Sequence, residues 1–251
     1  MKKYISTILI VLSIPLFQIQ LYGQNESFLG LTLGAALPQG TFAGTDYNDP
    51  GNGYAQTGFL FTFDGAIFPD DYLGIGATVS YGSNNPDKQL YKSDLTNDLI
   101  NRYPDLEQYL DQLYFDYGVW RYMNFHIGPN ITANAGKFNF DVRALAGLSL
   151  GWAPDQLIQI TQNDEQLFSR RINAKAIPTL GFTVGGGIRY AMSSGYVLRV
   201  IVDYSNLKPP YDATESVNID PEEGVITETK EVAVPFKNIQ IGIGIAYNFE
   251  I

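Results

Sequence analysis

The 251-residue sequence predicts an all-β fold, an eight-stranded antiparallel up-and-down transmembrane β-barrel with long extracellular loops, one of them partly helical. Three observations predict it. Eight segments alternate bulky apolar residues with small or polar ones at a period of two. The spacers between these segments run long and short by turns. The second face of each segment is rich in Gly, Ser, Thr, Ala and Asn, where a soluble barrel would show water Lys, Glu and Gln.

The chain opens with a leader. Met1, Lys2 and Lys3 supply a positive start and YISTILIVLSIPLF a short apolar run, so residues 1–23 are expected to be a signal peptide cut after Gly23. That run falls short of the roughly 20 residues a spanning helix needs. Residues 24–251 are then the barrel domain.

The first strand sets Leu29, Leu31, Leu33 and Ala35 against Gly30, Thr32 and Gly34. The second sets Thr57, Phe59, Phe61 and Phe63 against Gly58, Thr62 and Asp64, and the third Leu73, Ile75, Ala77, Val79 and Tyr81 against Gly74, Gly76, Thr78 and Ser80. A fourth, expected around residues 117–131, puts Val119, Met123, Phe125 and Ile127 on one face and Trp120, Tyr122 and His126 on the other. Gly128-Pro129 falls inside it, and because proline donates nothing to a ladder, a bulge or an early strand end is expected there. The fifth strand runs from Phe138 to Trp152 with Asp141 and Arg143 on its small-residue face. The sixth, Thr179 to Tyr190, carries Arg189 there, and the seventh, Tyr196 to Ser205, carries Arg199 and Asp203. The last strand is IQIGIGIAYNFEI.

An eight-stranded barrel is just wide enough for side chains to fill it. The small residues are therefore expected to line a crowded lumen, crossed by a polar network of Asp64, His126, Asp141, Arg143, Arg189, Arg199 and Asp203. Closed by ion pairs, those charges would serve stability more than transport. Tyr54, Tyr72, Tyr81, Tyr117, Trp152, Tyr190, Tyr196, Tyr204, Tyr247 and Phe249 cluster toward strand ends, where a lipid-headgroup girdle places amphipathic rings.

Several chemistries are excluded or left weak. The formal charge of −10 argues against a nucleic-acid partner. Without cysteine there is no disulfide, thiolate metal site or cysteine nucleophile. His126 is the one histidine, so a catalytic triad or a multi-histidine zinc site has little to build on. The loop opening with DYNDPGNG puts Pro50 where a calcium loop needs an acidic or amide residue and Thr57 where it needs a Glu, and GIGIG lacks the strand-turn-helix setting of a phosphate loop. No catalytic residue, cofactor or metal is expected, and the chain is not expected to be an enzyme.

Among the loops, residues 93–113 show Leu95, Leu99, Tyr103, Leu106, Tyr109, Leu110 and Leu113 at helical spacing around Pro104. Two short amphipathic helices fit, either as an exposed partner-binding cap or, preferably, with the stripe folded onto the barrel mouth. Tyr91, Tyr103, Tyr109 and Tyr114 are the candidate partner-binding residues. The last loop is acidic, with Asp212, Glu215, Asp220, Glu222, Glu223, Glu228 and Glu231, and its GVITETKEVAV stretch is expected to prolong strands seven and eight as a hairpin.

The opening GLTLGAALPQGTFA and the terminal IGIGIAYNFEI resemble the small outer-membrane β-barrel family, the porin-like eight-stranded barrel domain, over residues 24–251. The chain departs from that family's usual aromatic last residue, ending in Ile251 with Phe249 two positions earlier. The resemblance implies a monomer in the bacterial outer membrane, surrounded by its lipids and recognised by the assembly machinery through the final strand. Structural, adhesive and small-solute roles fit such a barrel, and acidic loops would favour a cationic or neutral surface partner. Two other readings stay open at this stage: a soluble secreted or periplasmic barrel holding a small apolar ligand, and a barrel-borne lipid-modifying enzyme.

Overall fold

The computed structural model describes residues 27–249 apart from 71, 164, 174, 193 and 218–225. The expected signal peptide, Ile251 and the acidic Asp220, Glu222 and Glu223 lie outside the described residues. Along the chain come strands β1 (Ser27–Pro38), β2 (Gly58–Ile67) and β3 (Leu73–Asn84), helix α1 (Lys88–Arg102) and a 3-10 helix (Pro104–Gln112). Strands β4 (Leu113–Tyr117), β5 (Trp120–Ala135), β6 (Phe138–Trp152), β7 (Gln156–Gln162) and β8 (Glu165–Ile172) follow. The chain then forms β9 (Ile177–Ala191), β10 (Tyr196–Leu207), β11 (Pro210–Val217), β12 (Ile226–Ala233) and β13 (Phe236–Phe249).

Eight of these strands close an antiparallel barrel in the order β1-β13-β10-β9-β6-β5-β3-β2. The closing seam joins the last strand to the whole length of β1, from Ser27↔Phe249 to Pro38↔Asn238. Closure leaves no unpaired edge, which a hydrocarbon surrounding demands because it offers no water to satisfy free N–H and C=O groups. The polarity is inverted relative to a soluble barrel. Leu33, Ile75, Ile127, Val142, Leu180 and Ile243 stand on the outer wall with at least half of their surface exposed, whereas Thr32, Asp64, Asn124, Asp141, Arg189 and Asp203 are buried inside. This is the arrangement of a barrel that spans a membrane.

Period-two alternation holds through Gly128-Pro129, where a bulge or strand end was expected. The pairing of β5 with β6 lapses only at those two residues and resumes in the same register, from Ile127↔Ala146 to Asn130↔Arg143. The exposed Pro129 still faces Ile75 on β3, so its missing donor falls in the lapsed stretch of a ladder held on both sides.

The small inner face has a steric purpose. A Cβ on Gly30 would stand 2.7 Å from Arg199 Nη1, and one on Gly185 would collide with the Asp203 carboxylate. Gly30→Val should therefore cost about 1–3 kcal/mol, the range for overpacking a filled interior, read as a lower urea midpoint of the protein folded in lipid vesicles. An unchanged midpoint would mean that the lumen is looser than this geometry.

At the loop end, parts of three long loops form a second sheet in the order β12-β11-β8-β7-β4. The hairpin expected from GVITETKEVAV is present as β11 and β12, but each is a strand separate from the barrel strand beside it. The apolar stripe of the helical segment packs on this second sheet and not on the barrel mouth. Helix α1 begins at Lys88, five residues before the expected segment, where the Asp87 carboxylate accepts the Leu90 N–H at 3.1 Å, and it stops before Pro104. Its Tyr91, Leu95 and Leu99, with Leu106 of the 3-10 helix, meet Ile158, Ile160 and Phe168 of β7 and β8 in one buried cluster. Arg102 clamps the assembly by bonding both Asp98 in its own helix and Glu215 on β11, each at 2.6 Å. We call this folded loop end the cap.

The aromatic girdle forms in part. Tyr72, Tyr190, Tyr196 and Tyr247 are exposed at the turn end of the barrel, but Tyr54 and Tyr117 are buried in the cap core. Their rings satisfy a local packing need that strand-end position alone does not reveal.

Candidate functional site

Two regions bring chemically active side chains together: the lumen and the cap. All seven residues expected in the lumen network lie there and are buried. Arg199 makes a two-pronged bond to Asp64, Nη1 to Oδ1 at 2.7 Å and Nη2 to Oδ2 at 2.8 Å. Arg143 bonds Asp64 as well and grips Asp203 with Nε and Nη2 at 3.0 and 2.5 Å. Nearer the turn end, Arg189 grips Asp141 at 2.7 and 2.9 Å and donates to Asn248 and Thr132. Three guanidinium groups thus meet three carboxylates, which is the condition under which buried charges are tolerated. Phe28 closes this layer from below, its ring 4.2 Å from the Arg189 guanidinium carbon and 5.0 Å from that of Arg199.

His126 sits toward the loop end between two hydroxyls, Thr183 Oγ1 at 3.0 Å and Ser149 Oγ at 2.9 Å. Ser149 gives its proton to Asn124 Oδ1 at 2.8 Å, so it accepts from Nε2–H and leaves Nδ1 to accept from Thr183. The imidazole is a neutral link in a hydroxyl-amide chain, with no carboxylate hydrogen-bonded to it. Above it Gln240 donates to Tyr122 at 3.0 Å. An apolar stopper of Phe42, Trp120, Tyr211 and Phe236 then fills the mouth, with Phe42 stacked on Phe236 at 5.0 Å. Leu60, Leu145 and Ile201, which the pattern of polar residues did not single out, also point inward and are buried.

The four candidate tyrosines of the cap do not form one surface. Tyr91 is 6% exposed and lies in the core, 4.7 Å from Tyr117 and edge-on to Tyr54 at 5.1 Å. Tyr103 and Tyr109 are half-buried against the same cluster, and Tyr114 is the exposed one. Their helical spacing marked a buried face, which is what an amphipathic stripe most often is.

The cap instead encloses a cleft that sequence reading missed. An inner chamber of about 110 Å³ has walls that include Tyr54, Tyr91, Tyr117, Trp120 and Tyr211, and it adjoins an outer chamber of about 290 Å³ that shares Tyr47, Pro50, Arg170, Ala213 and Val232 with it. Arg170 of β8 stands between the two and donates to the Tyr47 hydroxyl at 2.9 Å. Burial works against its charge, but the surrounding tyrosine oxygens and Glu215 more than offset that, so its pKa lies above the usual guanidinium value. Burial pushes the Tyr54 phenol up, and its hydrogen bond to Asp94 at 2.8 Å pushes it further, so it remains a donor. Gln156 of β7, 2% exposed, also lines the inner chamber, and neither its amide nitrogen nor its amide oxygen meets a hydrogen-bond partner. No sequence signal marks this cleft, because its walls come from all four long loops and converge only after the second sheet forms.

No family model matches the chain, and no curated protein matches it. Among solved structures it is similar to a major outer membrane protein from Thermus thermophilus, with 12% identity, 90% of this chain and 100% of that chain covered, and a TM-score of 0.46. It is also similar to Ail, the attachment invasion locus protein of Yersinia pestis, with 10% identity, coverage of 90% and 100%, and a TM-score of 0.38. A third likeness is to the N-terminal β-barrel domain of Pseudomonas aeruginosa OprF, with 13% identity, coverage of 91% and 100%, and a TM-score of 0.35.

Proposed function

We propose that this chain is an integral β-barrel of the bacterial outer membrane, non-conducting and non-enzymatic, which acts by displaying its cap at the cell surface. One observation carries the reading: the lumen is filled at successive levels by paired charges, a hydroxyl-amide chain and an aromatic stopper, while the loop end builds a folded structure with its own core. A conduit would need unpaired polar walls and width. At the Asp64, Arg143 and Asp203 level each carboxylate is paired with a guanidinium and the buried side chains take up the width. Recognition or adhesion through the cap uses what the fold invests in most. His126, held by two neutral hydroxyls deep in the barrel, lacks the charged orienter and the access that hydrolytic chemistry requires.

The apolar outer wall supports membrane insertion over a soluble barrel with an internal ligand. The long loops are placed outside the cell by analogy with barrels whose short turns face the periplasm. In planar bilayers the purified protein should give no steady conductance, and it should stay closed after the cap loops are replaced by short turns, because the ion-pair layer lies below them. On intact cells, added protease should reach tags placed in residues 218–225 but not tags in the turn at residues 136–137. Steady channels in the full-length protein would overturn the closed-lumen reading, and the opposite protease pattern would overturn the display reading.

A further inference from the structure

We infer that the cap cleft is a binding site for a small ring-bearing carboxylate, an aromatic acid or an acidic sugar, with its ring entering the inner chamber and its carboxylate on Arg170. This deepens the reading of the cap as the functional end of the molecule and rests on it. Two independent features point to a ligand. The first is Gln156, whose buried amide has both a donor and an acceptor unsatisfied by protein at the wall of the inner chamber. Leaving such a group without a partner is costly, and once the amide, which shows almost no surface as it stands, turns toward the chamber, a ligand hydroxyl satisfies both atoms by accepting from Nε2 and donating to Oε1.

The second is Arg170. Among the described residues no carboxylate lies within ion-pair distance of its guanidinium, and its hydrogen-bond partner is the Tyr47 hydroxyl. The acidic groups of the outer chamber are already engaged: Asp98 and Glu215 bond Arg102, and Glu228 pairs with Lys230 at 3.1 Å. Asp49, at the exposed rim, accepts from the Gly51 backbone at 2.9 Å. The guanidinium therefore offers its planar fork to an incoming anion, a local exception to the cationic or neutral partner that the acidic loops favour, and a carboxylate is the group that matches that fork.

Shape completes the assignment. A cavity of about 150 Å³ accepts benzene, so the inner chamber of about 110 Å³, which has tyrosine and tryptophan walls and opens into the outer chamber of about 290 Å³, admits one six-membered ring only where the two meet. Aromatic walls hold an aromatic ring edge-on or stacked, and they also hold the apolar face of a sugar. The outer chamber leaves room for the acid group.

The test uses the full mature protein in detergent micelles, with 4-hydroxybenzoate, its neutral isostere 4-hydroxybenzamide, glucuronate and glucose as probes. Calorimetry gives affinity, and the emission of Trp120 reports occupancy of the chamber. At least one acid should bind about tenfold or more tightly than its neutral counterpart, as loss of a charge-assisted bond predicts. Arg170→Gln should remove that preference by weakening the acid about tenfold more than the neutral probe, and Gln156→Leu should weaken acid and neutral probe alike. Preference for 4-hydroxybenzoate identifies an aromatic acid, and preference for glucuronate an acidic sugar. If Arg170→Gln does not fold, as judged by heat-dependent gel migration, the acid-to-neutral ratio of the wild type together with Gln156→Leu decides. Neither acid binding below about 10 mM, equal binding of acid and neutral probe, or a preference that survives Arg170→Gln would overturn the inference. Water alone satisfying Gln156 would show as the first of these. Binding in micelles does not depend on which way the cap faces, so this failure is distinguishable from failure of the surface-display reading.

Discussion

Asp64→Ala should be among the most damaging single substitutions in the barrel. It removes the carboxylate that both Arg143 and Arg199 bond, and the side chain it removes is fully shielded from solvent. Arg143 keeps Asp203, but Arg199 loses both hydrogen bonds of its two-pronged grip at once. Removing one partner of a buried pair costs about 3–5 kcal/mol, because the remaining charge has already given up its water. We expect a corresponding fall in the urea midpoint of protein folded in vesicles, and much of it should return in Asp64→Ala/Arg199→Leu, where the stranded charge is gone. A double variant no more stable than the single one would show that desolvated charge is not the source of the loss. Conductance should remain absent in both, since the Arg189–Asp141 layer and the aromatic stopper persist.

Ile243→Arg should reduce membrane folding by a comparable amount through the opposite face. Ile243 sits mid-strand on β13, 63% exposed, between Leu33 of β1 and Val200 of β10. An arginine at the bilayer midplane of such a barrel costs about 2–4 kcal/mol, falling to about 0–1 near the interfaces. Tyr196→Arg, at the turn-end rim of the neighbouring strand, is the matched control and should be nearly silent. Gly244→Ser does not serve as one, because a Cβ there collides with the Leu31 carbonyl and Thr32. Equal folding of Ile243→Arg and Tyr196→Arg in vesicles would remove the depth dependence and with it the membrane belt.

The barrel strands were legible because lipid on one side and a filled lumen on the other impose the same alternation over ten residues or more. Parity alone therefore sent Asp64, Asp141, Arg143, Arg189, Arg199 and Asp203 inward. It did not tell which carboxylate meets which guanidinium, since Arg199 and Asp64 are 135 positions apart. The second sheet was hidden for a related reason. Its strands have five to eight residues, and β7, QLIQITQ, pairs with a strand from a different loop, so no local stretch carries a complete pattern. The helical stripe was visible, but the surface that it covers was not. Tyr91 was thereby read as a surface residue when it is buried in the cap at the wall of the inner chamber, and Gln156 and Arg170 passed unnoticed among ordinary loop polar residues.

The cap also bears on how the protein keeps its place. Its helix, second sheet and stopper are stitched from segments carried on four separate hairpins, and the stopper, which takes Tyr211 and Phe236 from the last of them, closes only when that hairpin is in place. Once Leu95, Leu99, Ile158, Ile160 and Phe168 are sealed from solvent, the second and third hairpins cannot part without opening that core. With the loops outside the cell, as proposed, the finished cap is a knot on the far side of a needle-hole, and its grip against withdrawal is packing alone, since the chain has no cysteine.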